Sequence, residues 1–409
     1  MKYSVAFAIL IASCNEPTIA NVDPPSEVED SIFDLQWASL MDSQQSIVSL
    51  ADGLIHQGMY IKAGSDGLPR LMAFDLETGE KAWQRDYPEI GDNEIIHMFV
   101  ADGVLICRNS FTVFAVDIGD QSIRWSKGLG SLNYRLGRGT VLSTGEYCLI
   151  ADENFDPLGG QTNHVLRFDP HNGEMDIVVS YAPDSIGTKS TSPPVYWRDD
   201  IIVYNLAPNA EVPPDEGHQQ LVAYDMAAGE EVWRVPVIDK YASNSLHPPA
   251  IYDDRIVITG GGHHIFGFDL ETGQQLWKYN LPGHTFGGGF WTTTNHLVHN
   301  NRLYINALSE EVTCLDPSTG REMWNNPKGG ANCSDNMVLY EKENVLVLTS
   351  WGYGSVMILD ADTGETLHRE HRYEDVSYSN DPVYDEETDM FFTSTYQHAV
   401  AFKVRRPNK

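Results

Sequence analysis

Cations are scarce in this 409-residue chain: 27 Lys and Arg stand against 58 Asp and Glu, for a formal net charge of −31. That balance argues against nucleic acid as a partner, because phosphate binding needs Lys and Arg to displace counterions. It equally disfavours electrostatic adsorption to anionic lipid, and reads as a heavily solvated rim. Familiar catalytic signatures are missing too. There is no Gly-x-Ser-x-Gly elbow, no phosphate-binding loop and no His-Glu-x-x-His pair, and each of those chemistries needs its own spacing. Beyond the first dozen residues no apolar run reaches the length of a membrane-spanning helix. Cysteine is limited to Cys14, Cys107, Cys148, Cys314 and Cys333. Those after Cys14 allow two disulfides in three connectivities for an exported protein. Cys107, Cys148 and Cys314 fall at strand positions that usually hold small packed residues, so buried free thiols are the preferred reading.

What the chain has in quantity is one short unit. Phe268-Asp269-Leu270-Glu271-Thr272-Gly273 is followed by Trp277, eight residues after the aspartate. Asp269 can accept hydrogen bonds from turn amides, Gly273 can take the positive φ that closes a hairpin, and Trp277 is a large apolar plate that needs a cover. The unit recurs as Asp75, Gly79 and Trp83, as Asp225, Gly229 and Trp233, and as Asp316, Gly320 and Trp324. Worn copies are Asp117 with Gln121 and Trp125, Asp169 with Gly173 and Ile177, and Asp360 with Gly364 and His368. Successive aspartates are 42, 52, 56, 44, 47 and 44 residues apart. An eighth copy, Ala399-Val400-Ala401-Phe402-Lys403, matches Leu71-Met72-Ala73-Phe74-Asp75 and then runs out of chain before its tryptophan.

Trp37, in Asp34-Leu35-Gln36-Trp37, can supply that missing strand from the other end. A period of about 40–45 residues with four short strands per unit predicts an all-β, eight-bladed β-propeller of four-stranded antiparallel blades. The last blade is closed by the N-terminal strand, which removes open sheet edges. An open solenoid would have no use for a truncated last repeat matched by an orphan first strand. The propeller is expected over residues 34–404, with a tail at 405–409.

Ahead of it, Met1-Lys2 and the short apolar stretch to Ala12 end in Ile11-Ala12-Ser13-Cys14. This resembles a bacterial lipobox, which makes residues 1–14 a lipoprotein signal peptide and Cys14 the lipidated N-terminus. Asn15 follows the cysteine where aspartate would mark inner-membrane retention in enteric bacteria, so the expected place is the outer membrane, facing the periplasm. Residues 15–33 are an acidic, Pro-rich tether that cannot bury enough surface to fold.

The Asp-to-Gly hairpins join third strands to fourth and so share one face of the disc. Loops between second and third strands, and the links between blades, share the other. That second face is elaborated at residues 152–160 and 207–217, in neighbouring blades three and four, either for binding or as drifted surface loops. Gly260-Gly261-Gly262-His263-His264 and the link His284-Thr285-Phe286-Gly287-Gly288-Gly289-Phe290-Trp291 add a second concentration on it, with His296 and His299 just beyond. Imidazoles on adjacent loops suit a transition metal, but the spacing fits no ligand pattern. A glycine-lined aromatic groove for a partner, with His263, His264, His284 and Trp291 on the candidate binding face, is preferred; no metal is assigned.

The hairpin with its tryptophan resembles the repeat of the pyrroloquinoline-quinone (PQQ) quinoprotein family, over nearly all of residues 34–404. The resemblance implies the fold strongly and the function weakly, since the motif builds blades and touches no cofactor. The quinoprotein dehydrogenases of that family hold PQQ between a tryptophan floor and a vicinal disulfide, or a substitute, beside calcium. Here no two cysteines are adjacent and there is no Cys-x-x-Cys-His haem site. The other branch, BamB-type lipoproteins, is a non-catalytic scaffold for outer-membrane protein assembly, similar in lipobox, tether, length and blade number. The expectation is therefore a cell-envelope lipoprotein that binds other envelope proteins, without cofactor or catalytic residues. A PQQ-dependent oxidoreductase using calcium, and a ligand- or glycan-binding propeller, are the alternatives.

Overall fold

A computed structural model of the chain describes residues 32–406, apart from 42–51, 66–67, 92–93, 110–111, 129–141, 144–147, 156–160, 182–187, 199, 209–218, 238–247, 262–263, 282–296, 308–310, 330–336, 351–354, 372–380 and 396. Its strands form eight antiparallel sheets, each a blade of a propeller. Blade one is Leu54–His56, Met59–Ser65, Pro69–Asp75 and Lys81–Asp86. Blade two is His97–Ala101, Val104–Arg108, Thr112–Val116 and Ile123–Gly128. Blade three is Leu142–Ser143, Cys148–Phe155, Gln161–Phe168 and Met175–Tyr181. Blades five to seven follow the same plan, with outer strands Gln275–Asn280, Glu322–Asn326 and Thr366–His371.

Two blades depart from the plan. In blade four the first strand is split into Thr188–Thr191 and Val195–Arg198, both pairing with Ile201–Pro208. Pro193 and Pro194 lie in the break, where a ring nitrogen cannot donate to the ladder. Ser192 bridges the gap: its amide donates to the Asn205 carbonyl at 2.8 Å, and its Oγ accepts from the Asn205 amide at 2.9 Å. Blade eight is Val383–Asp385, Met390–Ser394 and His398–Val404, completed by the N-terminal strand Phe33–Leu40. Phe33 pairs with Val404, Trp37 with Ala401 and Leu40 with His398, so the ring is closed by strand exchange between the two ends. The closing strand begins at Phe33, itself buried.

There is no single core. Eight apolar clusters among the described residues each lie between two consecutive blades, one per seam. A propeller of this size therefore grows around an axis, and its stability is a sum over seams. The residue that reaches across most seams is the tryptophan of the outer strand.

Candidate functional site

Each tryptophan acts on the blade that follows its own. In the hairpin of blade five the Asp269 carboxylate accepts from the Thr272 amide at 2.9 Å and the Thr272 hydroxyl at 2.7 Å, while the Gly273 amide donates to the Asp269 carbonyl at 2.8 Å. This leaves the carbonyl of the residue after the aspartate facing the neighbouring blade. Trp233 Nε1 donates to that carbonyl, Leu270 O, at 2.8 Å. The same bond joins Trp37 to Leu76 O at 2.9 Å and Trp125 to Pro170 O at 2.9 Å. It joins Trp277 to Pro317 O at 3.0 Å and Trp324 to Ala361 O at 3.1 Å. The indole lies over the turn glycine: a Cβ at Gly320 would stand 2.5 Å from the Trp277 ring, and one at Gly173 2.5 Å from Trp125. The glycine thus serves twice, for its φ near +70° and for the ring's close approach.

Three seams depart from this arrangement. Between blades one and two, the turn has Gln121 at φ +60°, and its side-chain amide donates to Ile118 O at 3.1 Å, the carbonyl an indole would otherwise use. Trp83 Nε1 is buried with no acceptor among the described residues. Between blades seven and eight, His368 stacks on Phe33 at 5.6 Å. Tyr340, Tyr384 and Lys342 bind the Asp389 carboxylate there at 2.6, 2.8 and 2.5 Å. Between blades three and four, Ile177 stands 59% exposed. The irregularity that elsewhere falls before the tryptophan lies two residues further on, between Val165 and Leu166, so Asp176 pairs with Arg167 and Ile177 with Leu166. Ile177 therefore does not occupy the tryptophan register.

The loop face differs from expectation in three places. Asp152–Phe155 and Ala207–Pro208 are strand, extending the second strands of blades three and four. Asp152 pairs with His164, and Ala207 with Ser190. Gly260 and Gly261 end a second strand and His264 begins the third, paired with Gly261, so these three residues belong to the ladder and not to a long loop. His299 ends a first strand, paired with Arg302, at the opposite end of its blade and therefore on the hairpin face. The structure thus separates His264 from His299. His263, His284, Trp291 and His296 lie outside the described residues, as does the Cys14 region.

Among the described residues no group of three or more His, Cys, Asp or Glu side chains is arranged to hold a metal. Cys107 and Cys314 are free, buried thiols, pushed up by burial, the second to about 12. Nothing is described of the Cys148 side chain or of Cys333. A cleft of about 240 Å³ between blades six and seven, lined by His299, Arg302, Tyr304, Glu341, Asn344 and Asp362, has no counterpart among the sequence motifs. Its guanidinium is committed: Arg302 pairs with Asp362 at 2.7 Å and donates to Ala361 O at 2.7 Å.

Polar groups at the loop-face end of blades four and five close on one another. Gln219 Nε2 donates to Asn205 Oδ1 at 2.9 Å, and Thr259 Oγ1 to the same oxygen at 3.0 Å, all three buried. Such a satisfied network ties two blades together and leaves that oxygen no lone pair for a ligand.

Comparison with known proteins agrees with this geometry. The model of a family described as outer membrane protein assembly factor BamB matches residues 212–288 and 268–405. The BamB structure from Moraxella catarrhalis superposes with a TM-score of 0.60 at 13% identity, covering 91% of this chain and 99% of that one. A quinohemoprotein alcohol dehydrogenase from Pseudomonas putida superposes with a TM-score of 0.63 at 13% identity, over 92% of this chain and 77% of its own. A quinoprotein ethanol dehydrogenase of Pseudomonas putida is 30% identical over 81 residues, which are 19% of this chain and 13% of that relative's length. At such identities the structural likeness speaks for the fold alone. The chain is an eight-bladed β-propeller, similar in its repeat and fold to PQQ-repeat propellers.

Proposed function

Starting from a propeller similar to the PQQ-repeat propellers, we propose that the chain is a non-catalytic cell-envelope lipoprotein whose ring is a protein-interaction scaffold in outer-membrane protein assembly. The observation that carries this reading is the match of residues 212–405 to the BamB family model. Lipidation at Cys14 would tether the ring to the outer membrane, facing the periplasm, and residues 15–33 would hold it away from the surface. Its partners are then other envelope proteins. A scaffold of this kind needs rigid, closed geometry with variable loops on it, and the eight seams and the exchanged strand are suited to that.

The second reading, a PQQ-dependent oxidoreductase, is favoured by the 81-residue likeness to a quinoprotein ethanol dehydrogenase. Among the described residues the donor set does not favour that group. No two of the five cysteines are adjacent in sequence, so no vicinal disulfide can form against the quinone. The buried Asn205 and Gln219 amides of blade four are also bonded to each other, and Thr259 of blade five donates to Asn205. We therefore derive no step through a quinone.

Deletion of the gene in its own host tests the assignment. The expected result is a fall in folded β-barrel proteins of the outer membrane, restored by the full chain and not by Cys14→Ser. Unchanged barrel levels, together with dye-linked alcohol oxidation on adding PQQ and calcium to the purified protein, would reverse the two readings.

A further inference from the structure

The hairpin of blade four is a complete receptor for an indole that its neighbour does not supply. Its local bonds match those of the others: the Ala227 and Ala228 amides donate to the Asp225 carboxylate at 2.9 and 2.8 Å, and the Gly229 amide to Asp225 O at 2.9 Å. Gly229 has the same φ, +72°. In the five turns that receive a tryptophan, both the glycine and the residue after the aspartate are buried. In blade four Gly229 is exposed and Met226 only half-buried. Nothing lies within 4 Å of where a Cβ on Gly229 would be, a space that elsewhere holds the ring.

We propose that this hairpin docks a tryptophan presented by a partner protein on an exposed, extended strand. The occupant is read from the molecule itself. In five seams the same turn is filled by an indole that donates to the carbonyl after the aspartate, and each time the ring arrives on the outermost strand of a sheet. A tryptophan in trans would make the same bond to Met226 O and cover Gly229, burying an aromatic anchor of the kind that dominates protein interfaces. Phe155, Gln161, Pro208 and Gln219, the strand ends that flank the long loops of blades three and four, lie at the opposite ends of their blades from this slot. The proposal draws on the scaffold reading only in taking the occupant to be a protein.

The test uses the whole protein with methyl-labelled methionine and a synthetic peptide copying residues 274–281 of this chain, whose tryptophan serves a staple in cis. Titration should shift the Met226 methyl resonance by ring current. The same peptide with alanine for tryptophan should bind roughly tenfold or more weakly, the loss expected for a buried tryptophan anchor. Gly229→Asn keeps a residue that tolerates positive φ but places its side chain in the slot, and should abolish the Met226 shift. Equal binding of both peptides, or a shift that survives Gly229→Asn, would overturn the proposal. N-acetyltryptophanamide binding as tightly as the peptide would instead assign the slot to a small molecule. Because none of these measurements uses a cell-envelope partner, the slot can fail while the scaffold reading stands, and the reverse.

Discussion

Between blades five and six the ring is held by an indole; between blades three and four it is held by phenols. In the first seam Trp277 is buried, donates to Pro317 O at 3.0 Å and lies over Gly320. In the second, Tyr181 shares a hydrogen bond with Tyr204, reaches Glu231 at 3.1 Å and sits under the Arg234 guanidinium at 5.3 Å. Tyr224 adds a bond to Val178 O at 3.3 Å. These bonds run from the outer strand of blade three to blade four without using the Met226 carbonyl, so the outer turn is left uncovered. The difference shows that the staple is not required for a seam to close, only for its rim to be sealed.

The comparison breaks most visibly by truncation. Trp277→Ala should cost about 3–5 kcal/mol, as for other large buried rings, whereas Ile177→Ala should stay within about 0.5 kcal/mol because the side chain is solvated. Chemical denaturation of the two variants checks this, and a loss under about 1 kcal/mol for Trp277→Ala would mean that the ring contributes little across the seam. The turn glycines offer a second contrast. Gly320→Ala should lose about 2–4 kcal/mol, combining the left-handed backbone with a methyl driven into the Trp277 ring. Gly229→Ala meets no neighbour and should lose only the backbone contribution, about 1–2 kcal/mol. Equal losses would show that ring contact is irrelevant to the glycine.

How much of this could be read beforehand follows from how local each cause is. The Asp-to-Gly turn is decided within five residues, by an aspartate that accepts turn amides and a glycine free to adopt positive φ, so its recurrence announced seven of the eight blades. The truncated copy at Ala399–Lys403 and the orphan Trp37 announced ring closure for a similar reason, since each lacks what the other has. By contrast, the shifted irregularity at Val165 and Leu166 depends on which blade the strand packs against, and nothing in Met175–Tyr181 signals it. Gln121 could be seen as a departure, but not that its amide would take the Ile118 carbonyl away from Trp83. The separation of His264 from His299 did carry a signal. Asn300 and Asn301, both at positive φ, mark a two-residue turn between first and second strands, which places His299 on the hairpin face.

A third contrast is between seams that respond to acid and seams that do not. Indole-to-carbonyl staples carry no titratable group. The seam between blades seven and eight relies on carboxylates instead. Partial burial opposes the charge on Asp389, but bonds from Lys342, Tyr340 and Tyr384 outweigh it and hold that carboxyl at about 2. Burial likewise opposes the charge on Asp360, yet Arg406 at 2.6 Å and the Thr363 amide hold it below the ordinary carboxylate range. Both groups are more acidic folded than unfolded, so their stabilisation is full above the unfolded value of about 4 and is lost as pH falls through the folded one. Asp389→Asn should remove about 1 kcal/mol at neutral pH, after allowing for screening at a side chain 35% exposed. It should also flatten the stability profile between about pH 4 and 2. An unchanged acid profile would show that the clamp is not a determinant of this seam.

The smallest effect is also the most discriminating. Blades one and two hold both halves of a staple, Trp83 and the turn from Asp117 to Gln121, yet leave the indole nitrogen without an acceptor among the described residues. Gln121 stands at φ +60° where other turns have glycine, and its amide bonds Ile118 O. Replacing it with glycine removes the left-handed strain and frees that carbonyl, at the loss of the amide's own bond. If the indole then turns to Ile118 O, one buried donor is satisfied and the protein should gain about 1 kcal/mol, close to the net worth of one hydrogen bond. Trp83 emission would move to shorter wavelength as its ring is covered. A net loss of stability would mean that the glutamine amide is the better partner for the turn, so that this seam, like the one between blades three and four, is closed by means other than an indole.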